Sequence, residues 1–144
     1  MLVGGIDKFP TAILALLSAG LSGSDEHVQN AVAYLRQAQN LDGGFPYDPQ
    51  SAFGTASDTS STAWVVWALN ALGIAPATWE KNGKDPADYL SASQQSTGFF
   101  AYQPGSTEDS FSPVNTAYAV IALNGKTLPL RVLGDFRAGH RKPR

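Results

Sequence analysis

The chain has 144 residues, 43% of them hydrophobic and 15% charged, which suits one globular domain with a real core and argues against disorder. It contains no cysteine, so disulfides, thiolate metal sites and cysteine nucleophiles are excluded, and no apolar run is long enough to span a bilayer. Residues 1–125 carry four Lys/Arg against eleven Asp/Glu, a net of −7, whereas residues 126–144 carry six against one, a net of +5; so acidic a body is a poor match for a phosphate backbone, and no nucleic-acid partner is expected.

Ala12 to Leu21 is apolar and follows Lys8, but Asp7 and Pro10 fit badly in a leader, so no clear signal peptide is read there. Thr11-Ala12-Ile13 instead opens a first helix, Thr11–Leu21, apolar almost all round. A second, Asp25–Gln39, is amphipathic. Val28, Ala31, Val32 and Leu35 form its stripe, Ser24 is its expected cap, and Asp25 and Glu26 complement its positive end. A third, Thr62–Leu72, has Asp58 where a cap is needed and Gly73 after its end. Asp85-Pro86 opens a short fourth helix, Pro86–Gln95, and Ser112-Pro113 leads into a fifth, Thr116–Leu123, closed by Gly125. No period-two alternation is sustained, so almost no sheet is expected. The segments 41–57 and 96–112 are long loops rich in Gly, Ser, Pro and aromatics, the kind that carry a site or pack as ordered structures.

Two signatures recur at about fifty-five residues. Thr62-Ala63-Trp64 and Thr116-Ala117-Tyr118 repeat the opening at Thr11, and the stretch from Tyr34-Leu35 through Gln39 to Gly43, Phe45 and Pro49 aligns without a gap on Tyr89-Leu90 through Gln94 to Gly98, Phe100 and Pro104. A fixed period of this length means one supersecondary unit used repeatedly, with all-round apolar helices alternating with amphipathic ones.

The exits Gln39-x-x-x-Gly43-x-Phe45 and Gln94-x-x-x-Gly98-x-Phe100 resemble the repeat of terpenoid cyclases and protein prenyltransferases, with phenylalanine where the family's motif usually has tryptophan. The resemblance spans roughly residues 9–125. It implies an all-α fold, a partial α/α toroid of about five helices, apolar inner and amphipathic outer, in which the motif's glutamine and aromatic tie outer helices together. The repeat domain is then 1–125, and 126–144 is a basic C-terminal tail outside it. A full ring in this family takes about six hairpins and this chain supplies about two and a half, so self-association or further repeats are expected to complete it.

The family's chemistries can be held against these residues. Class II cyclases carry Asp-x-Asp-Asp-Thr-Ala; here Asp58-Thr59-Ser60-Ser61-Thr62-Ala63 keeps the first aspartate and puts Ser60 and Ser61 at the two later ones. A serine hydroxyl cannot protonate an alkene. A prenyltransferase zinc site and an internal thioester both need cysteine. His27 opens an outer helix and His140 lies in the tail, so neither is placed as a base, and Tyr47 and Tyr102 recur at equivalent positions, which favours packing.

Binding remains. The ligand-binding candidates are Asp58, Tyr47, Tyr102, Trp64, Trp67 and Tyr118, with core packing as the plainer reading of the last three and a helix cap as that of Asp58. No metal or cofactor is expected. The reading is a non-catalytic binding or structural module from a larger bacterial extracellular protein, because Gln39-Asn40-Leu41-Asp42-Gly43-Gly44-Phe45 is similar to repeats of bacterial surface proteins. The alternatives are a cyclase-like enzyme or isoprenoid carrier, whose partner is a hydrophobic small molecule, and a glycan-binding module.

Overall fold

A computed structural model describes residues 5–128; the basic tail beyond Leu128 lies outside the described residues. Five α-helices and one 3-10 turn make up the regular structure: α1 Lys8–Ser18, α2 Glu26–Ala38, α3 Thr59–Ala71, the 3-10 turn Pro76–Thr78, α4 Pro86–Ala92 and α5 Ser112–Leu123. Among the described residues no strand forms; three isolated bridges, such as Pro46 to Ser57, only pin loops. No described helix is long and apolar enough to cross a membrane.

The helices sort into two layers. α1, α3 and α5 lie side by side, α2 backs α1, and α4 backs α3. Two clusters hold them. Ile13, Val28, Leu35, Phe45, Val65, Leu69 and Trp79 join α1, α2 and one flank of α3, while Ala63, Val66, Trp67, Leu90, Phe100, Ala119 and Ala122 join its other flank to α4 and α5. α3 is therefore the shared wall. Nine of its thirteen residues are buried, which is why its sequence shows no wet face. α1 and α5 are as apolar but are not enclosed: Val114, Val120 and Leu123 of α5 remain 38–46% exposed. α2 shows its polar face to solvent, with Glu26, Gln29, Asn30, Arg36 and Gln37 exposed.

The helix starts differ from the sequence expectation. Each inner helix opens three or four residues before its Thr-Ala pair, because the threonine sits one turn inside. Thr11 Oγ1 donates to the Asp7 carbonyl and Thr116 Oγ1 to the Ser112 carbonyl, both at 2.6 Å. Asp25, not Ser24, caps α2, accepting from the His27 amide at 2.9 Å, while the Ser24 hydroxyl pairs with Ser22. Ser112 is the first residue of α5, and its hydroxyl accepts from the Asp109 amide. Asp58 and Asp85 do cap their helices, the latter in a reciprocal box with Asp88.

The repeated exit now has a physical meaning. The backbone turns back after each glutamine at a glycine of positive φ, +83° at Gly43 and +93° at Gly98. Each glutamine donates to the carbonyl of its glycine, Gln39 at 3.0 Å and Gln94 at 3.3 Å. Each phenylalanine amide is then accepted by the threonine hydroxyl of the next inner helix, Phe45 by Thr62 and Phe100 by Thr116, both at 2.9 Å. Gln39 also reaches the Trp79 carbonyl at 2.6 Å, and Arg36 lies 4.2 Å above the Trp79 ring. The first motif thus couples α2 to the lead-in of α4.

Candidate functional site

The site is built where the two long loops meet the N-terminus of α3. Asp58 is buried in extended conformation and caps that helix. It accepts from the Ser61 amide at 2.8 Å and the Ser61 hydroxyl at 2.7 Å, and the Tyr102 hydroxyl adds a further hydrogen bond to the same carboxyl. The second loop is sewn over this helix end, since the Thr59 amide donates to the Tyr102 carbonyl and Thr59 Oγ1 to the Ala101 carbonyl. Burial raises the Asp58 pKa above the ordinary carboxylate value although its hydrogen bonds oppose the shift. Burial first, and then the Asp58 charge and hydrogen bond, also raise Tyr102.

Beside this cap runs an open groove of about 940 Å³, formed by Asn40, Leu41, Asp42, Ala56, Ser57, Asn82, Lys84, Asp88, Tyr89, Ala92, Gln103 and Pro104. Its floor is a closed network. Asn40 Nδ2 donates to Ser57 Oγ, Ser57 Oγ donates to Asp42, and the Tyr89 hydroxyl and Gln103 Nε2 both donate to the Ser57 carbonyl. Burial and the nearby Asp42 and Asp58 charges hold the Tyr89 phenol protonated well beyond its ordinary range. The floor is satisfied and rigid, and the rim offers Lys84, Asp88 and Leu41, all exposed.

The six candidates from sequence therefore fall into two places. Asp58, Tyr102 and Tyr47 gather at the loop end, and the two tyrosines are 42% and 54% exposed rather than packed in the core. Trp64, Trp67 and Tyr118 gather between α3 and α5 with ring centroids 4.6–6.0 Å apart, and the Trp67 indole donates to the Tyr118 carbonyl. Trp67 is wholly buried core, whereas Trp64 and Tyr118 are half buried. Trp79 is buried against Phe45 in the other cluster. The motif residues Gln39, Gly43, Phe45, Gln94, Gly98 and Phe100 act as turn and tie. Sequence reasoning missed Asn40, Asp42, Ser57, Lys84, Asp88, Tyr89 and Gln103 as groove residues. Asn40 and Asp42 sit inside the recurring exit and carried a signal; Lys84 and Asp88 carried none.

Ser60 Oγ donates to Asn115 Oδ1 of α5 at 2.6 Å, so it ties two inner helices. Among the described residues no group of His, Asp and Glu is placed to hold a metal. Comparison with known families matches the chain to the Squalene-hopene cyclase C-terminal domain over residues 8–137. No curated protein and no solved structure matches.

Proposed function

We propose that this chain, which belongs to the squalene-hopene cyclase C-terminal domain family, is a non-catalytic binding or structural module built on the family's helical repeat. One observation carries the reading: the only aspartate left of the Asp-x-Asp-Asp pattern is spent on structure. The Asp58 carboxyl takes the Ser61 amide, the Ser61 hydroxyl and the Tyr102 hydroxyl. Ser60 is bonded to Asn115. Alkene protonation needs an acid whose proton faces the substrate, and none of Asp58, Ser60 and Ser61 lines the groove.

Incubation with squalene, and separately with a prenyl diphosphate, is expected to give no product above a protein-free blank. Turnover that disappears in Asp58→Ala would overturn the proposal in favour of an isoprenoid-directed enzyme.

Glycan binding is the second reading, favoured by two exposed tyrosines at the loop end beside the groove. Aromatic faces of this kind stack on sugar rings while amide and carboxylate groups take hydroxyls. Retardation on a gel containing cell-wall polysaccharide, lost in Tyr102→Ala and in Tyr47→Ala, supports it; unchanged mobility removes it.

We further propose that the parent protein is extracellular or surface-bound in a bacterium, on the similarity of the Gln39–Phe45 exit to surface-protein repeats. Protease treatment of whole cells checks this. The division into a repeat domain, 1–125, and a basic tail, 126–144, belongs to the same proposal.

A further inference from the structure

The tripeptide Asn-Gly-Lys occurs at 82–84 and again at 124–126. Asparagine followed by glycine is chemically labile, because a residue without a side chain leaves its backbone nitrogen open to the neighbouring amide. By sequence the two copies are equal, and both asparagines are exposed. Their surroundings differ. Asn124 ends α5: its Nδ2 donates to the Val120 carbonyl at 2.7 Å, and the Gly125 amide donates to the Ala122 carbonyl at 3.0 Å. Asn82 and Gly83 form the tip of a two-residue turn closed by Lys81 and Lys84, which exchange backbone hydrogen bonds at 2.8 and 3.0 Å. Among the described residues neither the Asn82 side chain nor the Gly83 amide has a hydrogen-bond partner. Among the same residues Asn82 is the only non-glycine with positive φ, +53°, a conformation that a residue with a Cβ holds at a cost.

We infer that Asn82 is a site of spontaneous deamidation in the folded protein, and that Asn124 is shielded from the same reaction. The Gly83 backbone nitrogen loses its proton to base and bonds to Asn82 Cγ. The Cγ–Nδ2 bond breaks, ammonia leaves, and a five-membered succinimide closes. Water then opens the ring at Cγ to give aspartate, or at the backbone carbonyl to give isoaspartate, in which the main chain runs through the side chain. Closure brings the Gly83 nitrogen round to the side chain, so the turn must open first. Only two hydrogen bonds hold it, the strain at Asn82 favours release, and it lies at the surface. At Asn124 both reacting groups are engaged, and freeing them unwinds the end of α5. Asn82 lines the groove with Lys84 and Asp88. Conversion therefore adds a carboxylate to the groove wall, and isoaspartate lengthens the main chain just before the Asp85 cap of α4. The groove thus carries a slow, one-way change in its own charge.

The full chain is incubated at mildly alkaline pH, natively and in guanidinium chloride, and followed by peptide mass mapping. In the native protein Asn82 is expected to convert at least about tenfold faster than Asn124, whose two hydrogen bonds must break first. In denaturant the two rates should converge, since the tripeptides are identical. The Asn82 product should be a mixture of aspartate and isoaspartate, the latter scored by isoaspartyl methyltransferase labelling. Asn82→Gln, whose longer side chain cannot close a five-membered ring, should remove the fast conversion. Native Asn82 converting no faster than native Asn124 would overturn the inference. So would a difference in rate that persists unchanged in denaturant, or a product free of isoaspartate, which marks direct hydrolysis.

Discussion

Burial and hydrogen bonding pull Asp58 in opposite directions, and burial wins, leaving its pKa above the ordinary 3.8. The folded chain therefore binds that proton more tightly than the unfolded chain does, and ionising the group costs stability. The contribution of Asp58 is fullest below pH 3.8 and declines as pH rises through the raised folded value. Asp58→Asn keeps an acceptor for the Ser61 amide and cannot ionise. Urea midpoints should thus show the asparagine variant gaining on the wild type across that interval and holding a constant lead above it. Asp58→Ala removes the cap and should cost about 1–2 kcal/mol below pH 3.8 and less once Asp58 ionises in the folded wild type. The two motif glycines give a second contrast. Both have positive φ, but a Cβ on Gly43 would stand 2.4 Å from the Asp85 carbonyl oxygen, whereas one on Gly98 would meet nothing within 4 Å. Gly98→Ala should cost about 1–2 kcal/mol, the left-handed backbone alone. Gly43→Ala should cost clearly more, because the backbone at Asp85 must move, and chemical denaturation of the pair measures the difference.

Each exit turn is held to the following inner helix by one hydroxyl, and the two copies of that tie differ in burial. Thr62 is wholly buried and accepts from the Phe45 amide; Thr116 is partly buried and accepts from the Phe100 amide. Replacing either with valine keeps the shape and removes the acceptor. Thr62→Val should cost about 1–3 kcal/mol, since a buried N–H is left without a partner. Thr116→Val should cost less, because this second hydrogen bond is only partly buried, and faster hydrogen exchange at Phe45 or Phe100 reports each loss. These ties also show what the sequence made legible. The repetition of Thr-Ala and Gln-x-x-x-Gly-x-Phe revealed all five helices and their alternation, because both signatures are parts of one packed unit. It misplaced the helix starts because a threonine bonded back by one turn looks the same in sequence as a threonine that opens a helix. Asp58 was legible as a cap and Tyr47 and Tyr102 as equivalent repeat positions, but their gathering at one loop end was not. The groove was not legible, because Asp42, Lys84 and Gln103 come from three loops with no periodicity relating them, and only the folded arrangement brings them together.

The two hydrophobic clusters share α3, so the molecule has one wall that cannot move without exposing both. In a stacked repeat, the stability of each unit is its own plus that of the contacts with its neighbours. α3 has contacts on both flanks and lies under the two loops, while α5 leans on α3 and, more lightly, α4, and α1 on α2 and α3. Native-state hydrogen exchange should follow that order. Amides in the middle of α3, from Ala63 to Leu69, should exchange only through global unfolding, with a denaturant dependence equal to that of the whole chain. Amides of α5 should exchange earlier through a smaller opening with a shallower dependence, because losing α5 exposes only its contacts with α3 and α4. Uniform exchange across the three inner helices would mean that the arc unfolds as one unit.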